Sequence, residues 1–435
     1  MDKKEFLGRR KSLMDIIGKG GLAILSAAPE KVRSRDTFYD YRQDSDFYYL
    51  TGFEEPDSVA VLIPDRLEGE FILFCREKDQ LKEVWDGARE GNEGAVRNFG
   101  ADDSFPISDI ADILPGLIEQ SERVYFSMGD QKDFDQNLMG WIHDLHSGRH
   151  GHRGPTEIID LGHVLHEMRL FKSKKEINLM KKSAKIALDA HSKAMSICKP
   201  GLFEYEIEAE FLREFKRRGA DCSYPPIVAS GNNACVLHYT DNSSVLNDGD
   251  LILIDAGCEY QFYASDITRT FPINGIFSEP QREIYEIVYS ANQEAIKKVK
   301  AGNHWDDPHN IAVKEITKGL KSLGIISGSL KSLIKEKAYH QFFMHKTGHW
   351  LGIDVHDVGD YKVADKWRLL EPGMVTTVEP GIYISNSSKG VKKHWKGIGI
   401  RIEDDVCVTK NANIVFSQSL PSQAEDIENF MRSFH

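Results

Sequence analysis

Three features are scarce or absent in this sequence: long apolar runs, closely spaced cysteines and an excess of basic residues. No apolar segment reaches the roughly 18 residues that a transmembrane helix needs, so we expect no membrane span. The six cysteines form no CxxC pair, which disfavours zinc ribbons and disulfide scaffolds and favours a reducing compartment, the cytoplasm. Acidic residues outnumber basic ones, 67 to 55, for a net charge of −12, which argues against a nucleic-acid partner.

The length of 435 residues predicts two domains, each with its own core. A chain of this size closes a core without disulfides or structural metal, so any bound metal would serve chemistry. In the first part, SVAVLIP and EFILFCR read as neighbouring antiparallel strands. GLAILSAAPE has the small residues of a signal-peptide cleavage site. It follows an amphipathic segment, however, and a buried strand after a helix is the favoured interpretation.

A helix start marks the predicted domain boundary. Ser173 and Glu176 have the spacing of a capping box, which predicts a long helix that ends before Pro200. We therefore place the boundary near Phe171. Residues 1–170 are expected to form a smaller α/β domain, and residues 171–435 a larger α+β domain.

The second part contains a weak internal repeat. DGDLILIDAG places Gly249 six residues before Asp255, and EPGMVTTVEPG places Gly373 six residues before Glu379, 124 positions later in each case. Each half also has two helices before its strands, which predicts internal pseudo-symmetry in an α+β domain. Glycine-flanked strands are common, so a chance similarity stays open as an alternative.

Two aspartates stand close together in the first half of this repeat. Asp255 ends the apolar run LILI, and a lone carboxylate on a buried strand needs a partner. The following strand, YASDITRTFPI, carries Asp266. A hairpin that turns around Tyr260 and Gln261 would place the two carboxylates opposite each other on one sheet face. Such like charges require a proton or a bound cation.

The second half adds two more carboxylates and a group of histidines. Glu379 ends the run VTTV, and Glu403 lies in GIGIRIEDDV. His345, His349 and His356 fall within one glycine-rich and aromatic segment, which is typical of a loop that lines a site. Any one of these acids could instead be a surface residue at a strand end, and any one histidine a packing residue.

Four carboxylates with one or two imidazoles exceed the ligand count of one tetrahedral zinc ion. Two divalent metal ions fit that count, and the oxygen-rich donors favour manganese over zinc. Such a pair activates water and polarises a carbonyl group, so hydrolysis is the implied chemistry.

At these positions the sequence resembles the metallopeptidases with the pita-bread fold, which include aminopeptidase P, prolidase and methionine aminopeptidase. The strings IDAG, SDITRTFP, GHWLGIDVHD, VEPGIY and GIRIEDD carry the resemblance. The ligand order of that family implies metal binding by Asp255, Asp266, His349, Glu379 and Glu403. It further implies that Asp266 and Glu403 bridge two metals, Asp255 completes one site, and His349 with Glu379 completes the other.

The resemblance also implies roles for residues around the metals. His238 and His356 match histidines that contact the substrate or stabilise the tetrahedral intermediate, and His345 matches one that lines a proline pocket. Arg401 matches an arginine near that pocket, although it could instead pair with an acidic neighbour such as Asp404. Glu379 is expected to carry a proton to the leaving nitrogen.

The first part, YRQDSDFYYLTGFEEPDSVAVLIP, resembles the amino-terminal domain of aminopeptidase P. The expected activity is therefore a manganese-dependent exopeptidase that releases the amino-terminal residue from peptides with proline in second position. A prolidase, which cuts only dipeptides, shares all five ligands and stays open. A metal-free binding protein on the same scaffold is a third possibility, disfavoured by the intact ligands. The family also implies a homo-oligomer, a dimer or tetramer.

Overall fold

The computed structural model describes residues 1–119, 121–129, 131–147 and 153–434. The chain divides into two compact units, Met1–Met168 and Arg169–His435. The assignment of residues 1–170 and 171–435 to separate functional domains stays a prediction. Within the described ranges, none of the helices is both long enough and apolar enough to cross a membrane.

The first unit is built around a six-stranded mixed sheet, with strand order β6-β5-β4-β1-β7-β8. The strands of that sheet are β1 (Gly21–Ser26), β4 (Val59–Leu62), β5 (Phe71–Cys75), β6 (Asp103–Pro106), β7 (Arg123–Tyr125) and β8 (Glu157–Ile159). Strands β2 (Val32–Ser34) and β3 (Thr37–Phe38) form a separate two-stranded sheet. The helices of this unit are α1 (Lys3–Ile17), α2 (Ser45–Thr51), α3 (Gln80–Asp86), α4 (Gly91–Phe99), α5 (Ile110–Ile118), α6 (Lys132–Ser147) and α7 (Gly162–Leu170), whose last two residues fall in the second unit.

The strands of this sheet follow the predicted patterns. The pairing of β4 with β5 is antiparallel, as the two apolar runs around DRLEG indicate. Strand β1 occupies the first part of GLAILSAAPE and is buried after helix α1, because its apolar residues pack inside the sheet. The interpretation as a strand is confirmed within this structure.

The second unit contains the sheets that carry the predicted site. Its strands are β9 (Asp221–Cys222), β10 (Ile227–Ser230), β11 (Leu251–Asp255), β12 (Cys258–Tyr260), β13 (Tyr263–Ala264), β14 (Thr268–Pro272), β15 (Lys362–Val363), β16 (Lys366–Trp367), β17 (Val375–Val378), β18 (Gly381–Ile384), β19 (Ile398–Arg401), β20 (Asp404–Val408) and β21 (Asn413–Val415). Its helices are α8 (Lys174–Ile197), α9 (Glu204–Arg217), α10 (Glu279–Ile296), α11 (Asp307–Ser322), α12 (Leu330–Lys335) and α13 (Ala424–Arg432).

Two long helices precede the strands in each half of this unit, as the repeat predicts, and the second half adds the short helix α12 before its strands. Helix α8 begins with the capping box of Ser173 and Glu176, in which each side chain bonds the other residue's backbone N–H. Its buried face includes Met180, Ala184 and Met195. In the first half, β11 lies between β10 and β14. In the second half, β20 lies between β17 and β21.

The predicted pairing of Asp255 with Asp266 is wrong by two residues. Asp255 lies opposite Thr268, and Asp266 falls in the break between β13 and β14. The turn consists of Gln261 and Phe262, which both have positive φ, 49° and 69°. Two-residue hairpin turns of this kind normally show Asn-Gly or Asp-Gly, so the sequence did not reveal where this one lies.

The second half places its two glutamates opposite each other. Val378 of β17 pairs with Asp404 of β20, and the ladder of β18 with β19 continues in the same register. Glu379 and Glu403 therefore face each other in the gap between the two ladders. Glu379 follows the last residue of β17, whereas we had expected it to end the strand.

Candidate metal centre and active site

A cavity of about 440 Å³ in the second unit brings the predicted site residues together. Residues from both halves of the repeat line it, although they are widely separated in sequence. The lining includes all nine of the predicted residues: Asp255, Asp266, His349, Glu379, Glu403, His238, His345, His356 and Arg401. Their convergence is a property of the fold, while the role of each stays a prediction.

Three of these side chains form a group that could hold a metal ion. One ligand atom from each of Asp266, His349 and Glu403 lies within 4.8 Å of the other two. All three residues are buried, and Glu403 is only 2% exposed. Asp266 precedes β14 and Glu403 precedes β20, so both carboxylates lie at breaks between strands rather than within a ladder.

The burial of four carboxylates in one cavity perturbs their protonation. Burial and the neighbouring Asp266 raise the pKa of Glu403 well above its ordinary value. Burial also raises the pKa of Glu379 to about 7 and raises that of Asp255. Burial would raise the pKa of Asp266 too, but the hydrogen bond and charge of His349, the Tyr224 hydrogen bond and the charge of Arg401 together lower it. Carboxylates this close are stabilised by protons or by a cation.

The imidazole of His349 is oriented as a metal ligand would be. Its Nδ1 lies 2.9 Å from the carbonyl oxygen of Trp350, so that Nδ1–H can donate there and fix the ring. Its Nε2 lies 3.3 Å from Asp266 Oδ2. Burial would lower the pKa of His349, but the hydrogen bond to Asp266 and the charges of Asp266 and Glu379 together raise it to about 9. A divalent cation would replace the proton that the raised pKa keeps on His349. The oxygen and nitrogen donors of Asp266, His349 and Glu403 are suited to bind such a cation.

Two residues that the sequence patterns did not indicate hold the carboxylates in place. The Tyr224 hydroxyl hydrogen-bonds to Asp255 and lies 2.5 Å from Asp266 Oδ1. The Thr268 hydroxyl donates to Glu403 Oε2 at 2.7 Å. Tyr224 lies in a segment without periodicity before two prolines, and Thr268 resembles any polar residue in a strand. No local signal could have identified either one.

Arg401 is buried beside the carboxylates, and its partner is not Asp404. Its Nη2 lies 2.5 Å from Asp255 Oδ2, and its Nη1 donates to the Tyr383 hydroxyl at 3.0 Å. Asp404 pairs with Arg269 at 2.7 Å, so Arg401 does pair with an acidic residue, but that residue is Asp255 and not Asp404. Residues three apart in an extended chain direct their side chains to opposite faces, which separates Arg401 from Asp404.

Tyr383, which was also not predicted, connects Arg401 to His345. The Tyr383 hydroxyl lies 2.9 Å from His345 Nε2. Burial and the charge of Arg401 lower the pKa of His345 to about 3, so its ring is neutral. His345 Nδ1 lies 3.6 Å from Glu379 Oε2. His345 and Arg401 therefore line the cavity next to Glu379, and the buried Tyr383 hydroxyl connects them.

His238 and His356 are the exposed members of the predicted set. The ring of His356 stacks on that of His349, with centroids 3.9 Å apart and an interplanar angle of 12°. Desolvation of this ring and the nearby charge of His349 lower the pKa of His356. A neutral imidazole in this position can donate one hydrogen bond to a molecule in the cavity.

Aromatic residues that were not predicted complete the lining. The ring centroids of Trp305 and Tyr361 lie 4.3 Å apart, and those of Trp305 and Trp367 lie 5.5 Å apart. The ammonium group of Lys346 lies 5.1 Å from the centroid of the Trp367 ring. The cavity therefore combines a carboxylate-rich centre with an apolar wall.

Known proteins are similar to this chain over nearly its whole length. The sequence model of metallopeptidase family M24 matches residues 178–410, and that of the aminopeptidase P N-terminal domain matches residues 6–125. Xaa-Pro aminopeptidase of Escherichia coli K12 is 44% identical over 434 residues, which cover 99% of this chain and 98% of the relative.

Solved structures match equally well. Pseudomonas aeruginosa aminopeptidase PepP has a TM-score of 0.99 and 52% sequence identity, covering 100% of this chain and 99% of that one. Zinc-substituted Escherichia coli aminopeptidase P, in complex with product, has a TM-score of 0.97 and 43% identity, with coverage of 100% and 99%.

Proposed function

The chain belongs to metallopeptidase family M24, and we propose that it releases the amino-terminal residue from peptides with proline in second position. The expected fold, an α+β pita-bread part after a smaller α/β domain, is confirmed by the matching structures. One observation carries the proposal: Asp266, His349 and Glu403 converge in a buried group within a chain whose relatives bear the name Xaa-Pro aminopeptidase.

We propose that this cavity binds two metal ions and that they are manganese. Asp266 and Glu403 would bridge them, Asp255 would complete one site, and His349 with Glu379 would complete the other. The raised pKa values of Glu403 and Glu379 support a need for positive charge here, and the oxygen-rich donors support manganese. Bound divalent ions would activate water and polarise the scissile carbonyl.

The remaining side chains have proposed roles in substrate binding and proton transfer. His356 donates a hydrogen bond to the oxygen of the tetrahedral intermediate, and His238 contacts the substrate at the exposed side. Glu379 carries a proton to the leaving proline nitrogen. His345 and Arg401 form the proline pocket, together with His356. Their fixed positions around Tyr383 support this assignment.

Proline specificity follows because this pocket does not require a backbone N–H donor from the substrate. Proline has no backbone N–H and a fixed φ, so a site that binds an extended peptide through that donor rejects it. The ring would contact a wall formed by His345 and Arg401, which line the cavity and whose polar groups already bond to the buried Tyr383 hydroxyl. We propose that this wall accepts the ring without needing an amide donor.

We also propose that residues 171–435 form the catalytic domain and that the protein is a cytoplasmic homo-oligomer. The six free cysteines support a reducing compartment. Helix α3 supports oligomer formation, because Leu81, Val84 and Trp85 are 81%, 81% and 87% exposed and such a patch favours a protein contact. Light scattering of the purified protein and of Trp85→Ala measures the subunit number.

The test of the function compares Ala-Pro-Ala, Ala-Pro and Ala-Ala-Ala as substrates in the presence of manganese. We expect kcat/KM for Ala-Pro-Ala to be at least equal to that for Ala-Pro, and Ala-Ala-Ala to be cleaved far more slowly. Turnover of Ala-Pro alone would identify a prolidase. Equal turnover of Ala-Ala-Ala would contradict the proline pocket, and no turnover with metal bound would favour a binding protein.

A further inference from the structure

Two cysteines lie directly opposite each other on neighbouring strands of the second unit. Cys222 ends β9 and Cys258 begins β12, and the two residues are Cα partners in an antiparallel pair. Directly opposite residues place their side chains on the same face of a sheet. Both cysteines are free thiols in this structure, so the strands bring two reduced sulfurs to one position.

The hydrogen-bond pattern shows which kind of cross-strand pair this is. The backbone N–H of Ser223 donates to the carbonyl of Gly257 at 3.1 Å, while the N–H of Cys258 donates to Ser265 Oγ at 3.0 Å. Cys222 and Cys258 are therefore a non-hydrogen-bonded pair, in which Cα atoms lie about 4.5 Å apart. A disulfide spans Cα separations of about 4.4–6.8 Å, so the bond needs no separation of the strands.

We propose that Cys222 and Cys258 form a reversible disulfide when glutathione disulfide, or another small disulfide, is the oxidant. The sulfur of Cys222, which is partly exposed, attacks one sulfur of glutathione disulfide and releases one glutathione thiol. The buried sulfur of Cys258 then attacks the Cys222 sulfur and releases the second glutathione. Two electrons and two protons pass from the cysteines to glutathione, which balances the reaction.

The bond would fasten a segment that supports the carboxylates. Tyr224 lies two residues after Cys222, and its hydroxyl contacts Asp255 and Asp266.

Burial raises the pKa of the Cys222 thiol to about 11 and that of Cys258 to about 12, so thiolate is scarce at neutral pH. The pair therefore exchanges slowly with a disulfide at neutral pH, and mildly alkaline conditions suit the experiment.

The experiment incubates the full-length protein with glutathione disulfide, blocks free thiols, and maps its peptides without reduction. We expect a linked peptide that contains Cys222 and Cys258 and disappears on reduction. Cys222→Ser should abolish the link, whereas Cys235→Ser, which replaces another partly exposed cysteine, should keep it. The linked protein should melt several degrees higher, because the bond restricts the unfolded chain.

Three outcomes would overturn the proposal: no oxidation of the pair, a glutathione adduct on Cys222 that never resolves, or a link to another cysteine. A linked protein with an unchanged melting temperature would overturn the claim that the bond fastens the segment. None of these readouts uses peptidase activity, so failure of this proposal is distinguishable from failure of the proposed function.

Discussion

A buried ion pair anchors the loop that carries His356, and breaking it should weaken both stability and catalysis. Asp357 accepts hydrogen bonds from Lys172 at 2.8 Å and Arg169 at 2.6 Å. The side chains of Asp357 and Lys172 are each 1% exposed. Burial would raise the pKa of Asp357, but the two cations outweigh burial and lower it. Its stabilising effect is therefore present above the unfolded pKa of about 3.9 and is lost as the pH falls through the folded value.

Asp357→Asn removes the charge that balances the buried ammonium of Lys172. Loss of one partner of a buried pair costs about 3–5 kcal/mol, which lowers the urea midpoint by roughly 1–2 M at an m-value of about 3 kcal/mol/M, since m increases with protein size. Asp354→Asn is the matched control: its carboxylate also contacts Arg169, at 2.7 Å, but is 35% exposed. A partly exposed pair contributes about 0–1 kcal/mol, so this control should unfold close to wild type.

Tryptophan fluorescence in urea measures the stability, and kcat with Ala-Pro-Ala measures the consequence for His356. We expect kcat to fall in Asp357→Asn while bound metal is unchanged, because the loop shifts and the ligands do not. Adding Lys172→Met should recover part of the lost stability, since no uncompensated ammonium remains. If Asp357→Asn and Asp354→Asn had the same urea midpoint, the claim that the buried ion pair stabilises the fold would be refuted.

Two further substitutions test the metal centre and its surroundings. Glu403→Ala should abolish activity and lower bound metal while the fold survives. Elemental analysis that found two full equivalents in the inactive variant would contradict a bridging role. His356→Ala should lower kcat by roughly 10²–10³, the usual effect of losing one oxyanion donor, with metal content unchanged; loss of metal would instead make His356 a ligand.

Local patterns predicted those parts of the fold that local physics determines. The capping box at Ser173 and Glu176 fixed the start of α8, because both bonds form within one turn. The turn at Gln261 and Phe262 was misplaced, because neither residue type favours the positive φ that each adopts. That backbone conformation is imposed by the ladders on both sides, which a local pattern does not describe.

The parts of the candidate site that the sequence predicts are charged residues that are costly to bury. Asp255 and Glu379 could be predicted because a carboxylate beside an apolar strand needs a partner that compensates its charge. The repeat also places the two residues at equivalent positions. Tyr224, Thr268 and Tyr383 gave no such signal, since a hydroxyl residue near a strand is ordinary. These residues matter only through partners that the sequence does not identify, so the structure was needed to find them.

The site itself arises where the two halves meet, and this explains the limit of sequence reasoning. Thr268 of the first half donates to Glu403, which is 135 residues away, and the Glu403 N–H donates back to the Thr268 carbonyl at 3.1 Å. Arg269 binds the Glu403 carbonyl at 2.7 Å. A repeat places acids in each half, but only these contacts between halves determine which oxygens converge. Because that geometry depends on contacts over such separations, a local motif identifies the ligands without revealing the groups that hold them.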